Sequence, residues 1–436
     1  MTTTERPYER LDPAPVGVAA TLRPLLTGLL GEVPVKIEFW DGSHLGPERS
    51  EPGTIHVRSL DAIRRVVWAP DELGVSRAFV AGDVDFDGDV FTLIRALRPA
   101  GMAMRSGLKV APAALAAARE LGVLSHRLPP PPEEAHPKGW RHSKRRDAQA
   151  ISHHYDVGND FYSLVLGPAM TYSCARFARP DMTLVEAQAS KHELISRKLG
   201  LHERREMRLL DVGCGWGSMA IHAAANHGAH VVGVTISKEQ AARARQRVTE
   251  AGLDDRVEIR LQDYRDLRGE RFDAISSVGM FEHVGQARMS EYFATLHDLL
   301  HPTGRLLNHA ISSVGGSKLG TRTFVYRYVF PDGELIDVGD VQHAMQDAGF
   351  EVRDVESLRE HYATTLRHWV ANLEEHWDEA VALVGEGRAR IWKLYMAGSA
   401  IGFEDSGLSL HQVLGVRNGE DGLSAMPATR DGWVTA

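Results

Sequence analysis

The sequence predicts an α/β fold in which a doubly wound, Rossmann-like parallel sheet follows a smaller N-terminal α+β domain. Strand-like hydrophobic runs alternate with helix-like segments from residue 207 to residue 312. The first run enters a glycine-rich turn, L-L-D-V-G-C-G-W-G at 209–217, which an apolar helix-like stretch follows. Four consecutive prolines at 129–132 separate this region from a shorter N-terminal one, because a proline run favours an extended linker.

Composition limits the class of protein. The chain has 436 residues, 43% of them hydrophobic, and a net charge of -8, so we expect two domains and no nucleic acid as the main partner. The two cysteines, Cys174 and Cys214, favour a reducing compartment. We expect a cytoplasmic protein whose contact with the inner face of the membrane is peripheral, because we find no signal-peptide core and no apolar run of about 18 residues.

The N-terminal region mixes helix-like and strand-like segments, which predicts the smaller α+β domain. Residues 74–90 carry aspartates at alternate positions, as a cation-binding loop does. Their spacing lacks the bidentate glutamate of an EF-hand, so a structural loop is predicted. The predicted helices are 18–30 and 93–124, and the predicted strands are 33–40, 53–57 and 66–68.

The segment after the prolines is basic. Residues 138–146 are K-G-W-R-H-S-K-R-R, and cations beside a tryptophan suit an anionic membrane surface, where each contributes about 1 kcal/mol. A solvated linker explains the same residues equally well. The predicted division is an N-terminal domain at 1–125, a linker at 126–147, a main domain at 148–418 and a polar tail at 419–436.

In the main domain, alternating strands and helices predict a parallel sheet with ligands at the carboxyl ends of its strands. Towards the C-terminus we predict helices at 357–377 and around 389–396, and an edge strand at 408–416. The predicted strands of the sheet are 207–212, 230–237, 257–264, 272–279 and 304–312, with helices at 239–251 and 286–300 between them.

The glycine-rich turn predicts a ligand site. Gly213, Gly215 and Gly217 permit positive φ and close approach of the backbone, and the helix after them points its N-terminus at the ligand. The spacing D-x-G-x-G-x-G differs from the dinucleotide pattern G-x-G-x-x-G. It resembles motif I of class I S-adenosylmethionine (SAM)-dependent methyltransferases. A glycine-rich turn without a ligand is the structural alternative.

Four candidate catalytic residues follow strands or lie in segments that would cap the sheet: Cys174, Glu282, His309 and Tyr362. Each has a structural explanation when taken alone, since a buried cysteine is a small hydrophobe and a glutamate often begins a helix. His309 could be a core histidine, and Tyr362 shares a helical face with apolar residues. The spacing of these residues indicates no metal site, and no G-x-S-x-G nucleophile elbow is present.

The sequences around these residues strongly resemble the cyclopropane-fatty-acid synthase family over residues 148–415. The N-terminal part resembles more loosely the small lipid-binding domain of the phospholipid-modifying members, which mycolic-acid cyclopropane synthases generally lack. The motifs are H-H-Y-D-V-G-N-D-F-Y (153–162), T-Y-S-C-A (171–175), L-D-V-G-C-G-W-G (210–217), V-V-G-V-T-I-S-K-E-Q (231–240), L-Q-D-Y-R-D-L (261–267), V-G-M-F-E-H-V-G (278–285) and Y-V-F-P-D-G (328–333).

This resemblance implies a class I methyltransferase sheet with an N-terminal lipid-binding domain, and a SAM site along the carboxyl ends of the strands. By the part of the cofactor they bind, the implied residues are Asp211, Gly213 and Gly215 for the methionine part, covered by Tyr172 and Ser173; Thr235 and Gln240 for the ribose; and Gln262 and Asp263 for the adenine.

The resemblance also implies a bicarbonate ion beside the reacting carbons. An isolated cis double bond is a poor nucleophile, so it must meet the sulfonium methyl group in line and away from water. The product is a carbocation, which a weakly nucleophilic anion can stabilise and deprotonate without trapping it. The implied bicarbonate ligands are Cys174, Glu282, His309, Tyr362 and the backbone at Ile311.

The leading hypothesis is therefore methyl transfer from SAM to unsaturated acyl chains of membrane phospholipids. Proton loss from the new methyl group gives a cyclopropane, whereas a prior hydride shift gives a methylene branch that a partner reductase could convert to a methyl branch. A methyltransferase for a small soluble acceptor and a non-catalytic lipid-binding protein are the alternatives. Product type, head-group preference and a homodimeric state stay open at this point.

Overall fold

The computed structural model describes residues 17–106, 111–135, 157–316 and 320–434. The chain divides into two compact units, residues 1–134 and 135–436. The basic stretch 138–146, with the membrane contact predicted for it, lies outside the described residues, as does the first part of the 153–162 motif. Among the described residues, no helix combines the length and the apolar character that crossing a bilayer requires.

The first unit has a four-stranded mixed sheet in the order β2-β1-β3-β4 within its described part. Its core lies between this sheet and the helices, and Ala19, Ile37 and Phe39 are among its buried side chains. The strands are β1 (Lys36–Phe39), β2 (His44–Leu45), β3 (Thr54–Val57) and β4 (Val84–Asp87), and the helices are α1 (Val18–Leu30), α2 (Leu60–Trp68), α3 (Glu72–Val80), α4 (Val90–Ser106) and α5 (Ala111–Glu120).

Two sequence predictions in this unit are wrong. Residues 66–68 are the end of helix α2 rather than a strand. The hydroxyl of Ser59 accepts a hydrogen bond from the Asp61 N–H at 3.2 Å, and this N-cap with the helix context outweighs the β propensity of the two valines.

Residues 74–90 form most of α3 and all of β4 rather than a loop. Their aspartates alternate because they lie on or beside a strand, where every second side chain shares a face. Arg65, Arg58 and His56 each lie 2.8 Å from one of them: Asp83, Asp85 and Asp87 respectively.

The second unit is built on a sheet in the order β11-β12-β9-β8-β5-β6-β7, with β10 paired to β9 outside this path. Strands β5 to β9 are parallel, and β12 is antiparallel to both of its neighbours. The predicted α/β, doubly wound architecture is confirmed. The strands are β5 (Arg208–Val212), β6 (His230–Thr235), β7 (Val257–Leu261), β8 (Phe272–Val278), β9 (Leu300–Ser313), β10 (Ile336–Asp337), β11 (Phe350–Ser357) and β12 (Ser409–Arg417).

Helices cover both faces of this sheet, as two separate hydrophobic clusters show. A parallel strand that is buried on both faces needs a continuous apolar run, and β6 has one at 231–234, V-V-G-V. The helices are α6 (Asn159–Leu166), α7 (Leu184–Lys198), α8 (Ser218–His227), α9 (Lys238–Glu250), α10 (Met289–Asp298), α11 (Phe324–Tyr328), α12 (Val338–Asp347), α13 (Arg359–Glu375), α14 (Trp377–Val384), α15 (Glu386–Glu404) and α16 (Asp431–Val434).

The C-terminal part corrects two more predictions. The strand predicted at the edge, 408–416, lies inside the sheet between β9 and β11. The edge strand at this side of the sheet is β11, which was not among the predicted strands. The described part of 419–436, predicted as a polar tail, contacts β11 through an Arg430–Asp354 ion pair and buries Trp433.

The sheet topology also positions a ligand site. The chain passes from β5 to β6 on one side and later returns to β8 on the other. Ligands of open α/β sheets bind outside the carboxyl ends of the strands where the strand order reverses in this way. The turn at 213–217 therefore lies at the expected position.

Candidate active site

A first pocket of about 1250 Å³ lies at the carboxyl ends of β5, β6 and β8. It contains every residue that the sequence analysis assigned to the cofactor, although the role of each residue stays a prediction. These lining residues are Tyr172, Ser173, Asp211, Gly213, Gly215, Thr235, Gln240, Gln262 and Asp263.

The glycine turn is shaped by backbone contacts. Gly213 and Gly215 have φ values of 73° and 55°, which favour glycine. The N–H groups of Gly213 and Cys214 donate to the Val234 carbonyl at 2.9 and 3.0 Å. A Cβ at Gly213 would lie 2.8 Å from Cγ of Met280, whereas one at Gly215 would have no described protein atom within 4 Å. Gly215 therefore leaves open space for a ligand.

Asp211 is the second-last residue of β5, and only one of its two carboxylate oxygens has a hydrogen-bond partner among the described residues. The Ser276 hydroxyl donates to Oδ1 of Asp211 at 2.7 Å, while the buried Oδ2 has no hydrogen-bond partner among the described residues. Burial raises the pKa of this carboxyl to about 6. An unpaired buried carboxylate oxygen is costly, so a cationic group of a ligand suits this position.

The residues predicted to bind ribose and those predicted to bind adenine make different contacts in the structure. The Thr235 hydroxyl donates to Oε1 of Gln240 at 2.8 Å, which brings the two predicted ribose ligands together. The carboxylate of Asp263 accepts hydrogen bonds from Arg265, including one from Nη2 at 2.7 Å. Gln262 lines the pocket beside it.

Residues 170–173 line this pocket. The Ser218 hydroxyl donates to the Ala169 carbonyl at 2.6 Å, and the Ala175 N–H donates to the Thr365 hydroxyl at 3.0 Å. These contacts fix the segment between the glycine turn and α13. They hold Tyr172 and Ser173 in the pocket wall, and their role as a cover for the cofactor stays a prediction.

A second pocket of about 1000 Å³ adjoins the first. Tyr172, Ser173, Gly279 and His283 line both pockets, so the two share a wall. The second pocket brings together all the predicted bicarbonate ligands, Cys174, Glu282, His309, Ile311 and Tyr362, and much of the rest of its wall is apolar: Val325, Phe330, Leu335, Leu366, Phe403, Leu408 and Leu410.

Only one of the two carboxylate oxygens of Glu282 has a hydrogen-bond partner among the described residues. The N–H of Ile311 donates to Oε1 of Glu282 at 2.8 Å, while the buried Oε2 has no partner among the described residues. Burial raises the pKa of Glu282 to about 7, although the Ile311 hydrogen bond opposes this shift. The Ile311 N–H thus binds Glu282 here rather than standing free for an ion.

His309 is held by a neighbour that the sequence analysis missed. The side-chain amide Nε2 of the buried Gln412 lies 3.2 Å from Nδ1 of His309, while Nε2 of His309 is buried and lacks a partner among the described residues. Burial holds the pKa of His309 well below its usual range, so the ring is neutral. With the amide donating to Nδ1, the ring proton lies on Nε2.

Cys174 and Tyr362 complete the set. The Cys174 thiol donates to the Ala175 carbonyl at 3.1 Å and approaches the Leu358 carbonyl at 3.6 Å, and burial raises its pKa. It is therefore a neutral thiol. Tyr362 is buried and its ring lies 4.8 Å from that of Phe403.

The donors and acceptors of the second pocket fit a bicarbonate ion. Oε2 of Glu282 accepts a hydrogen bond when ionised, and Nε2–H of His309 donates one. Bicarbonate carries both an acidic O–H and anionic oxygens, so it satisfies both buried atoms. Its presence in this protein stays a prediction, which the family resemblance implies and these two unpaired atoms support.

The structure adds residues that sequence patterns did not reveal. Lys191 and His283 line the first pocket, and Gln412 supports His309. The Tyr172 hydroxyl donates to that of Tyr395 at 3.3 Å in the shared wall. Of these residues only Tyr172 was predicted as a site residue; Lys191, His283, Tyr395 and Gln412 match no motif that the glycine turn or the spacing of the candidate residues defines.

Away from both pockets, Glu193, His222 and His227 place one potential metal ligand each within 4.8 Å of one another. The histidine Nε2 atoms lie 3.3 and 2.9 Å from Oε2 of Glu193, and Arg197 lies 3.6 Å from its Oε1. Hydrogen bonds and an ion pair thus account for this group, and we assign it no metal.

The strand order, the antiparallel β12 beside β9 and the glycine turn after β5 define a class I SAM-dependent methyltransferase. The model of the mycolic acid cyclopropane synthetase family matches residues 142–413. The chain belongs to this family, and the resemblance predicted from its motifs is confirmed.

Named relatives agree with this assignment. The chain is 42% identical over 414 residues to a probable fatty acid methyltransferase of Mycobacterium tuberculosis, covering 91% of this chain and 95% of the relative. It is 40% identical over 281 residues to the cyclopropane-fatty-acyl-phospholipid synthase of Escherichia coli K12, covering 64% and 71%. A crystal structure of mycolic acid cyclopropane synthase CmaA1 with SAH and CTAB aligns with a TM-score of 0.58 and 35% identity, covering 62% of this chain and 98% of that one.

Proposed function

We propose that this enzyme transfers the methyl group of SAM to the cis double bond of unsaturated acyl chains in membrane phospholipids. The product is a cyclopropane or a mid-chain methylene branch. The second pocket is the main support for this proposal. Its wall is mostly apolar, it adjoins the first pocket, and Glu282 and His309 each contribute to it a polar atom that has no partner among the described residues. A small polar acceptor would make no favourable contacts with these apolar side chains.

Each pocket contributes a different part of the reaction. SAM, when bound in the first pocket, supplies an electrophilic methyl group. Because Tyr172 and Gly279 line both pockets, a methyl group beside them would lie next to the second pocket. The apolar residues of the second pocket bind the acyl chain and exclude water. Positioning the two reactants in line lowers the entropic part of the barrier.

Glu282 and His309 then act on the charge that develops. Bicarbonate, when bound, supplies an anionic oxygen that stabilises the carbocation and accepts its proton. Oε2 of Glu282 and Nε2–H of His309 orient that ion, and Cys174 and Tyr362 complete its surroundings. Cys174 stays neutral because burial raises its pKa, so it does not trap the cation covalently.

Incubation with methyl-labelled SAM and vesicles of a monounsaturated phospholipid tests the proposal. We expect label in the lipid, and none in vesicles whose chains are saturated. Mass spectrometry before and after hydrogenation distinguishes a ring from a methylene branch, and only a methylene product calls for a partner reductase. Label in small soluble acceptors alone would favour a methyltransferase for a small soluble acceptor. The absence of label from every acceptor would favour a non-catalytic lipid-binding protein.

We also propose that the first unit and the basic stretch 138–146 bring the enzyme to an anionic membrane. Trp40 and Trp68 of the first unit are 38% and 43% exposed, and amphipathic aromatic rings suit the membrane interface. Sedimentation with anionic vesicles should weaken at high salt, since salt screens exposed charges. Binding that does not change with salt contradicts the electrostatic part.

A further inference from the structure

Lys191 is a buried lysine in the wall of the first pocket that the proposed reaction does not use. Its side chain belongs to α7 and is 1% exposed. Nζ donates a hydrogen bond to the Ser173 hydroxyl at 2.9 Å, and Lys191 forms no ion pair among the described residues. A buried ammonium group that lacks an anionic partner is destabilising.

The position of this side chain is well defined. Helix α7 begins with a capping box in which the Thr183 hydroxyl accepts from the Glu186 N–H and the Glu186 carboxylate accepts from the Thr183 N–H. One turn before Lys191, the Gln188 amide donates to the Ser173 carbonyl at 2.9 Å. Two side chains of one helix thus hold Ser173, which fixes the direction of Nζ.

Asp211 carries the opposite charge at the same end of the pocket. Lys191 and Asp211 interact electrostatically, while burial lowers the pKa of Lys191 to about 7 and raises that of Asp211 to about 6. Neither the lysine nor Oδ2 of the aspartate has an oppositely charged partner within ion-pair distance among the described residues. A ligand that carries both an anion and a cation satisfies both groups.

We propose that Lys191 binds the α-carboxylate of the methionine part of SAM, while Asp211 binds its α-ammonium group. The two side chains then recognise an amino acid zwitterion and select cofactors that carry an intact one. This inference rests on the proposed assignment of the first pocket to SAM. It makes Lys191 a cofactor-binding residue that fixes the methionine end while the sulfonium methyl group faces the second pocket.

Decarboxylated SAM tests this inference because it lacks only the carboxylate. Calorimetry on the full chain measures the dissociation constants of SAM and of decarboxylated SAM for the wild type and for Lys191→Met. A charge-assisted hydrogen bond corresponds to about a 10- to 100-fold preference. We therefore expect the wild type to prefer SAM by about that factor, and Lys191→Met to lose the preference while it binds decarboxylated SAM as the wild type does.

The measured affinities distinguish the role of Lys191 from the assignment of the first pocket to SAM. An unchanged preference in Lys191→Met overturns the role of Lys191, and so does an equal loss of affinity for both ligands. A wild type that binds neither ligand contradicts the assignment of the pocket to SAM. If Lys191→Met fails to fold, Ser173→Ala replaces it; this variant should reduce the preference about threefold, and an unchanged preference again overturns the inference.

Discussion

The two pockets of the second unit are built in different ways. The first is made largely by the strand ends and turns that directly follow β5, β6 and β7, and its shape depends on the backbone of the glycine turn. The second is made by side chains that are remote in sequence, such as Cys174, Glu282 and Tyr362. The first pocket therefore follows from the fold class, whereas the second defines the acceptor chemistry.

The largest expected effect that separates the pockets comes from Glu282→Gln. This variant keeps the shape of the side chain but removes the carboxylate, so we expect methyl incorporation into lipid to fall by about 10³-fold. SAM binding should stay within about twofold of the wild type, because Glu282 lines only the second pocket. Labelled-lipid assays and calorimetry measure the two quantities, with the surface variant Glu250→Gln as the control. A parallel loss of SAM binding contradicts the separation.

The pH dependence of the rate distinguishes the carboxylates of the two pockets. Glu282 has a pKa of about 7, so it is ionised above that pH and protonated below it. If the ionised form acts, the rate rises with pH and falls by up to about tenfold for each unit below the pKa. SAM affinity is measured over the same range, because the two proposed SAM ligands Asp211 and Lys191 have pKa values of about 6 and about 7. A rate that is constant around pH 7 contradicts a requirement for the Glu282 carboxylate.

Two glycine variants separate stability from ligand binding within the first pocket. Gly213→Ala brings a methyl group 2.8 Å from Met280, whereas Gly215→Ala extends into open space. Both positions have positive φ, so the backbone strain is similar, about 1 kcal/mol. We expect Gly213→Ala to lower the melting temperature more, and Gly215→Ala to weaken SAM binding more, by about tenfold. The reverse order would mean that the ligand lies against Gly213.

The smallest expected effect concerns the support of His309. Gln412→Leu removes the group 3.2 Å from Nδ1 and lets the ring proton leave Nε2. We expect the turnover number to fall about three- to tenfold, with SAM affinity unchanged. Gln412→Glu provides the matched comparison, since a carboxylate would accept from Nδ1 and favour the wrong tautomer. Equal activity of all three proteins would show that the tautomer does not matter.

Prediction from sequence succeeded where short-range patterns decide the structure. The strands at 207–212 and 230–237 and the turn between them follow from hydrophobic runs and glycine spacing. It failed where packing decides: residues 66–68 have a strand-like composition but end a capped helix, and β12 lies inside the sheet because β11 pairs along its outer side. The glycine turn indicated the first site residues, the positions of four others relative to the strands made them candidates, and the family resemblance implied the roles of all of them.

The sequence alone determined the alternating sheet and the position of the glycine turn, and through the family resemblance it named part of the lining of each pocket. Those features depend on residue type and local spacing, which can be read directly from the sequence. Only the tertiary structure decided that Gln412 lies against His309, that the Ile311 N–H is taken up by Glu282 and that Lys191 lies buried near Asp211. These relations join residues far apart in the chain, and they depend on which buried polar atoms find partners once the sheet and its helices have packed.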